Sequence, residues 1–215
     1  MNIKHEVSKF KLELLNSLSH GIGVIIGIVF LLLLLVPSVA QKDTNKIVAF
    51  SIYASGFIFL FLSSTIYHSL SLTKAKEYLR ILDHSAIFIF IACSYLPIIL
   101  LVLKGNLRII FLVIITLLAL AGVIYKIFSF RTYDKHKKFS TFLYILMGWI
   151  AIFLIKPIVE NVSISFFTLI LIGGVIYSLG TYFYKKKSTY SHFIWHIFVL
   201  IAAIVQFFAI YLFLL

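Results

Sequence analysis

Seven apolar runs, each close to the length of a membrane-spanning helix and separated by short basic connectors, occupy most of this 215-residue sequence. They fall at residues 18–36, 47–70, 81–103, 107–128, 139–155, 164–184 and 190–214. A helix needs about 20 predominantly apolar residues to cross the hydrocarbon core. Inside lipid, each backbone polar group must find its partner within a helix or a closed barrel. The expected fold class is therefore all-α, a seven-transmembrane-helix bundle covering residues 18–215. A soluble globular fold is excluded by composition, with 62% hydrophobic and 12% charged residues and a mean hydropathy of +1.12.

The net charge of +12 does not argue for nucleic acid, because the basic residues sit in connectors, as the positive-inside rule expects. Lys4, Lys9, Lys11, Lys74, Lys76, Arg80, Lys126, Arg131, Lys135, Lys137, Lys138, Lys185, Lys186 and Lys187 flank one end of the runs. Only Lys42, Lys46, Lys104, Arg108 and Lys156 flank the other, 14 against 5 of the 19 Lys and Arg. This asymmetry predicts a cytoplasmic N-terminus, an extracytoplasmic C-terminus and a multi-pass protein of the cell membrane.

Residues 1–17 are polar and mixed, with Phe10, Leu12, Leu14 and Leu15 among the lysines, and read as an interfacial N-terminal segment. The basic start, the first apolar run and Ser38-Val39-Ala40 also resemble a signal peptide. The lead-in is long for one, so the run is read as a retained helix. Pro97 should kink or open the third helix, and Gly173-Gly174 and Gly180 should allow close helix approach in the sixth. The single cysteine, Cys93, excludes an intrachain disulfide or a multi-cysteine metal site. Any metal must be held by histidine and carboxylate.

Tyr190-Ser191-His192-Phe193-Ile194-Trp195-His196 carries the clearest chemical signal. Its two imidazoles are four residues apart and stack a turn apart on one helical face, as in other His-x-x-x-His metal sites. A pair of interfacial histidines would have the same spacing. The topology puts His68, at the end of the second run, and Asp83, at the start of the third, at the same depth. Ionisable groups in a span cost about 2.5–3.5 kcal/mol for Asp at a helix centre, so they face the bundle and mark function. Three imidazoles with an open fourth position form the catalytic zinc pattern, in which a bound water is acidified. His68, His192 and His196 are the candidate ligands. Asp83 is positioned to hold and deprotonate the water, and Ser64, one turn before His68, to orient the water or a substrate carbonyl. The plainer alternatives are that Asp83 caps the third helix and that Ser64 is a helix-packing residue.

His20, within Glu13-Leu14-Leu15-Asn16-Ser17-Leu18-Ser19-His20, belongs at the same end and is expected, with Glu13 and Asn16, in the surroundings of the site. His84 points about 100° away from Asp83 on a helix and is not expected to ligate the same ion. His5 and His136 read as solvated.

Taken together, Glu13 with Asn16-Ser17-x-Ser19-His20-x-x-Gly23, Ser64-x-x-x-His68, Leu82-Asp83-His84-Ser85 and His192-x-x-x-His196 resemble the hemolysin III group of the progestin and adipoQ receptor family, within a superfamily that includes alkaline ceramidases. The resemblance spans essentially the whole chain. It implies a seven-helix fold with Zn2+ held by His68, His192 and His196, and with Ser64 and Asp83 completing the site. The chain lacks the large N-terminal domain of the receptor branch, so hormone binding is not expected. The leading expectation is a zinc-dependent intramembrane hydrolase acting on a lipid amide or ester, with a membrane lipid or fatty-acyl substrate. The alternatives are a membrane-lytic, pore-forming protein and a non-catalytic, zinc-stabilised regulator of membrane lipid state.

Overall fold

The computed structural model describes residues 3–71, 73–186 and 188–215, without the side chains of residues 3–9, 130 and 133–136. His5 and His136, expected to be solvated, lie outside the described side chains. The described residues are helical, with no strand among them. In order come α1 (Ile3–Ala40), α2 (Thr44–Ser69), α3 (Lys76–Pro97), α4 (Gly105–Phe128), α5 (Tyr133–Trp149), α6 (Ile155–Asn161), α7 (Ile164–Lys185) and α8 (Ser191–Leu214). Seven stretches among them are long and apolar enough to cross a membrane.

Local chemistry sets several boundaries. The Asp43 side chain accepts a hydrogen bond from the backbone N–H of Lys46 at 3.1 Å and caps α2. Ser163 caps α7 in the same way through Phe166 N. Gly105, at a φ of +55°, opens α4 in a conformation that a side chain would strain.

Two of the expected segments differ from the structure. Residues 3–17 continue the first span as one helix, and Phe10–Ala40 forms a single apolar stretch. That continuity carries Glu13, Asn16 and His20 on successive turns of a rigid element. The fifth span is longer than residues 139–155, covering Lys137–Asn161. It is assembled from α5, a 3-10 segment over Ile150–Leu154 and α6.

The change of helix type in the fifth span strands backbone groups in an apolar setting, which membrane proteins tolerate only where protein supplies partners. Tyr95 supplies them. Its hydroxyl lies 3.0 Å from Met147 O and 2.7 Å from Gly148 O, and it accepts from Ala151 N at 2.8 Å. Two residues after Tyr95, Pro97 ends the α-helical pattern of α3, and Ile98–Val102 follow as a π turn. The expected opening at Pro97 is thus a local change of hydrogen-bond register.

Glycines let helices approach closely. A side chain at Gly23 would run into the Phe61 ring, and Gly27 sits against Phe57 and Ile58, so α1 and α2 pack backbone to side chain. Gly173 receives Gln206, and Gly180 receives Trp195 and Phe198, joining α7 to α8. Gly174 meets no neighbour there and instead lines the central cavity. α8 also packs on α1, with Phe30 and Phe207 stacked at the core. Ile25, Val29, Leu32 and Val36 of α1, and Ile110, Val113, Leu117 and Leu120 of α4, point outward, as lipid-facing positions should.

Candidate metal centre

Two helices bring the candidate ligands together. His68 lies in the last turn of α2, while His192 and His196 lie in the first two turns of α8. His192 Nε2 is 3.1 Å from His196 Nε2 and 3.3 Å from His68 Nε2. One ligating atom from each of the three lies within 4.8 Å of the other two. Four zinc ligands at about 2.0–2.1 Å in a tetrahedron sit ~3.3–3.4 Å apart along each edge. The two separations from His192 Nε2 are close to such an edge.

The opposite edges of the rings decide which nitrogen carries a proton. His68 Nδ1 is 2.6 Å from Glu13 Oε2. A carboxylate only accepts, so Nδ1 is a protonated nitrogen and Nε2 is the one turned toward the other imidazoles. The other Glu13 oxygen accepts from Lys76 Nζ at 3.0 Å, which anchors the carboxylate from the start of α3. His196 Nδ1 lies 3.3 Å from Asn16 O and 3.2 Å from Ser19 Oγ. Ser19 commits its own proton to Asn16 O at 2.8 Å, so His196 Nδ1–H is the donor and its Nε2 also faces another imidazole. Metal-ligating histidines are commonly held this way, by a carboxylate or a backbone carbonyl on the distal nitrogen. Three imidazoles grouped in this way, two of them oriented through Nδ1, could hold a metal ion.

Beside this cluster, Ser64, Asp83 and His20 line a cavity together with His192 and His196. Asp83 lies two turns inside α3, which begins at Lys76, so it does not cap that helix. The Ser64 hydroxyl is buried beside Asp83, near enough to interact with it, but meets no partner at hydrogen-bonding geometry. His20 stacks on His196 with centroids 3.7 Å apart and its edge against Phe61. Its ring nitrogens make no hydrogen bond among the described residues. Asn16 contributes its backbone carbonyl to the site. Its side-chain oxygen is buried without a hydrogen-bond partner among the described residues. His84 is buried on the cavity side, with Nε2 3.7 Å from Asp83 Oδ2, and remains outside the three-imidazole group.

Three contributors were not expected as parts of the site. Lys76 and Ser19 orient ligands, as described. Lys126, counted beforehand only as a connector charge, is buried in the last turn of α4. Its Nζ donates to Ser140 Oγ at 2.7 Å and lies 5.5 Å above the Tyr144 ring. Tyr144 in turn donates to His84 O at 2.9 Å. This chain braces the Asp83 segment against α4 and α5. The i, i+3, i+7 spacing of Glu13, Asn16 and His20 on one face of α1 was the available signal for the first two turns of this surround.

A family profile described as "Haemolysin-III related" matches residues 8–207. The chain belongs to the haemolysin III family. Among similar proteins, "Hemolysin-3 homolog" of Bacillus subtilis (strain 168) is 41% identical over 201 residues, 93% of each chain. "Hemolysin-3" of Bacillus cereus is 40% identical over 93% of this chain and 90% of its own. "Monocyte to macrophage differentiation factor" of Homo sapiens is 33% identical over 78% of this chain and 70% of its own. This last likeness supports the link to the progestin and adipoQ receptor family. The haemolysin III match covers every residue of the three-imidazole cluster and of its Glu13, Asn16 and Ser19 surround.

Proposed function

We propose that this haemolysin III protein is a zinc-dependent intramembrane hydrolase of a lipid amide or ester, sited in the cell membrane. The observation that carries this reading is the grouping of His68, His192 and His196 at a cavity that His192, His196, Asp83 and Ser64 line. Zn2+ held there would polarise a carbonyl and acidify a water. His68, held by Glu13, and His196, held by Asn16 and Ser19, present their lone pairs without rotating. Asp83 takes a proton from the attacking water and passes it to the leaving nitrogen or oxygen. Ser64 donates its hydroxyl to the water or to the substrate carbonyl oxygen. Apolar walls, among them Leu60, Ile87, Phe90, Ile91 and Val199, exclude bulk water and suit an acyl chain. The basic asymmetry assigns this end of the bundle to the cytoplasmic side.

A second reading is membrane lysis, favoured by the names of the two Bacillus relatives. Against it, the histidines and Asp83 that line the cavity gather at one end of the bundle, whereas a pore needs a strongly polar path across the bilayer. The deciding experiment purifies the protein in mild detergent without added metal and measures bound zinc and hydrolysis of lipid amides and esters. His192→Ala and His196→Ala are measured alongside. About one zinc per chain, lost in both variants together with hydrolysis, is the expected result. Zinc without turnover moves the protein to a non-catalytic, zinc-stabilised regulator of membrane lipid. Absence of zinc from folded parent protein, with leakage of vesicles it contacts, selects lysis.

A further inference from the structure

The cavity that opens at the imidazoles carries polar groups again well away from them. Tyr177 of α7 and Gln206 of α8 both line it. The Tyr177 hydroxyl is shut off from solvent and has no hydrogen-bond partner among the described residues. Phe90 also lines the cavity, and Tyr53, its ring 6.2 Å away, is fully buried with its own hydroxyl unpartnered among the described residues. Gln206 is held at its level by packing: a Cβ on Gly173 would come within 2.5 Å of Gln206 Cγ. Unpaired hydrogen-bonding groups are costly at this depth, where neither water nor lipid offers a partner. Among the described residues, the His and Asp side chains that line the cavity are His20, Asp83, His84, His192 and His196 at its other end, so the chemistry of this stretch suits a neutral group.

Helix geometry gives the position. Ten residues separate His196 from Gln206 on α8, a rise of about 15 Å. Gly173 faces Gln206 and Gly180 faces Trp195 and Phe198, so Tyr177 falls between these levels, about 5 Å along the helix axis beyond the level of His196. An extended hydrocarbon chain crosses about 5–15 Å in roughly four to twelve carbons.

We infer that Tyr177 and Gln206 form a second polar subsite, which takes a hydroxyl borne part-way along the acyl chain of a lipid whose carbonyl end lies at the imidazoles. A phenol that donates and an amide that both donates and accepts match a hydroxyl, which does both. The inference rests on the lipid-hydrolase reading for the direction in which the chain enters, and it adds that mid-chain hydroxylation is what the cavity selects.

Binding of free acids tests it independently of turnover. A fluorescent fatty acid bound to the full-length protein in detergent is displaced by octadecanoic acid, by mid-chain hydroxy-octadecanoic acids, and by the isomer with its hydroxyl next to the carboxyl. The mid-chain hydroxy acids should bind about 5–10-fold more tightly than octadecanoic acid, and the isomer no more tightly. Tyr177→Phe and Gln206→Leu should each erase most of the difference while leaving octadecanoic acid unchanged. Equal binding of all the acids to the parent protein overturns the subsite without any variant having to fold. A preference that survives both substitutions overturns it too. Mid-chain preference in protein that hydrolyses no lipid upholds the subsite and removes only the hydrolase reading. Failure of every acid to displace the probe overturns both.

Discussion

The carboxylate of Glu13 on α1 accepts a hydrogen bond from Nδ1 of His68 on α2 at 2.6 Å, joining residues 55 positions apart. This contact fixes the ring's tautomer and aims its Nε2 at His192. Glu13→Gln keeps the shape but removes the charge that holds Nδ1–H in place. Zinc affinity should fall about 10–100-fold, read by competition with a chromophoric chelator. Unchanged affinity would show that Glu13 serves only its contact with Lys76.

Asp83 lines one cavity with His192 and His196 but has a different role from the imidazoles in the proposed chemistry. Asp83→Asn should leave zinc content intact and reduce lipid hydrolysis about a hundred- to ten-thousandfold, with both measured on the same preparation. Parallel loss of zinc would make Asp83 a ligand and remove its role as base.

Because the three ligands come from α2 and α8, a bound ion ties together helices far apart in sequence. Stripping it with a chelator should lower the Tm in detergent, and re-adding zinc should restore it. An ion at a hundred times its Kd contributes about 2.7 kcal/mol. His192→Ala should be insensitive to both treatments. A Tm that does not respond in the parent protein would argue against a site of useful affinity.

Tyr95→Phe deletes one oxygen that serves Met147 O, Gly148 O and Ala151 N where the fifth span changes helix type. Stranding those groups should cost about 1–3 kcal/mol, seen as a lower Tm with zinc stoichiometry unchanged. A Tm equal to that of the parent would mean that the break is satisfied by other groups.

Much of the architecture was legible in one dimension because hydrocarbon imposes a length. Apolar runs near 20 residues become spanning helices wherever they occur, and a four-residue interval puts His192 and His196 on one face whatever they pack against. Depth along the membrane is also a one-dimensional quantity. Counting Lys and Arg was therefore enough to assign His68 and Asp83 to the same end as the histidine pair. Rotation about each helix axis and the order of neighbours are not one-dimensional. They follow from which ridges and glycines fit together, such as Gly23 against Phe61. For that reason His84, expected not to ligate and indeed outside the three-imidazole group, could not be placed on the wall of the same cavity from sequence. Lys126 likewise read as a connector charge and is buried against Ser140. The proton positions on His68 and His196 depend on Glu13, Asn16 and Ser19, which only packing of α1 between α2 and α8 brings within hydrogen-bond reach. Residue types and spacing named which groups could ligate, whereas the approach of the three imidazoles to one another came from helix rotation and neighbour order, which no local pattern encodes.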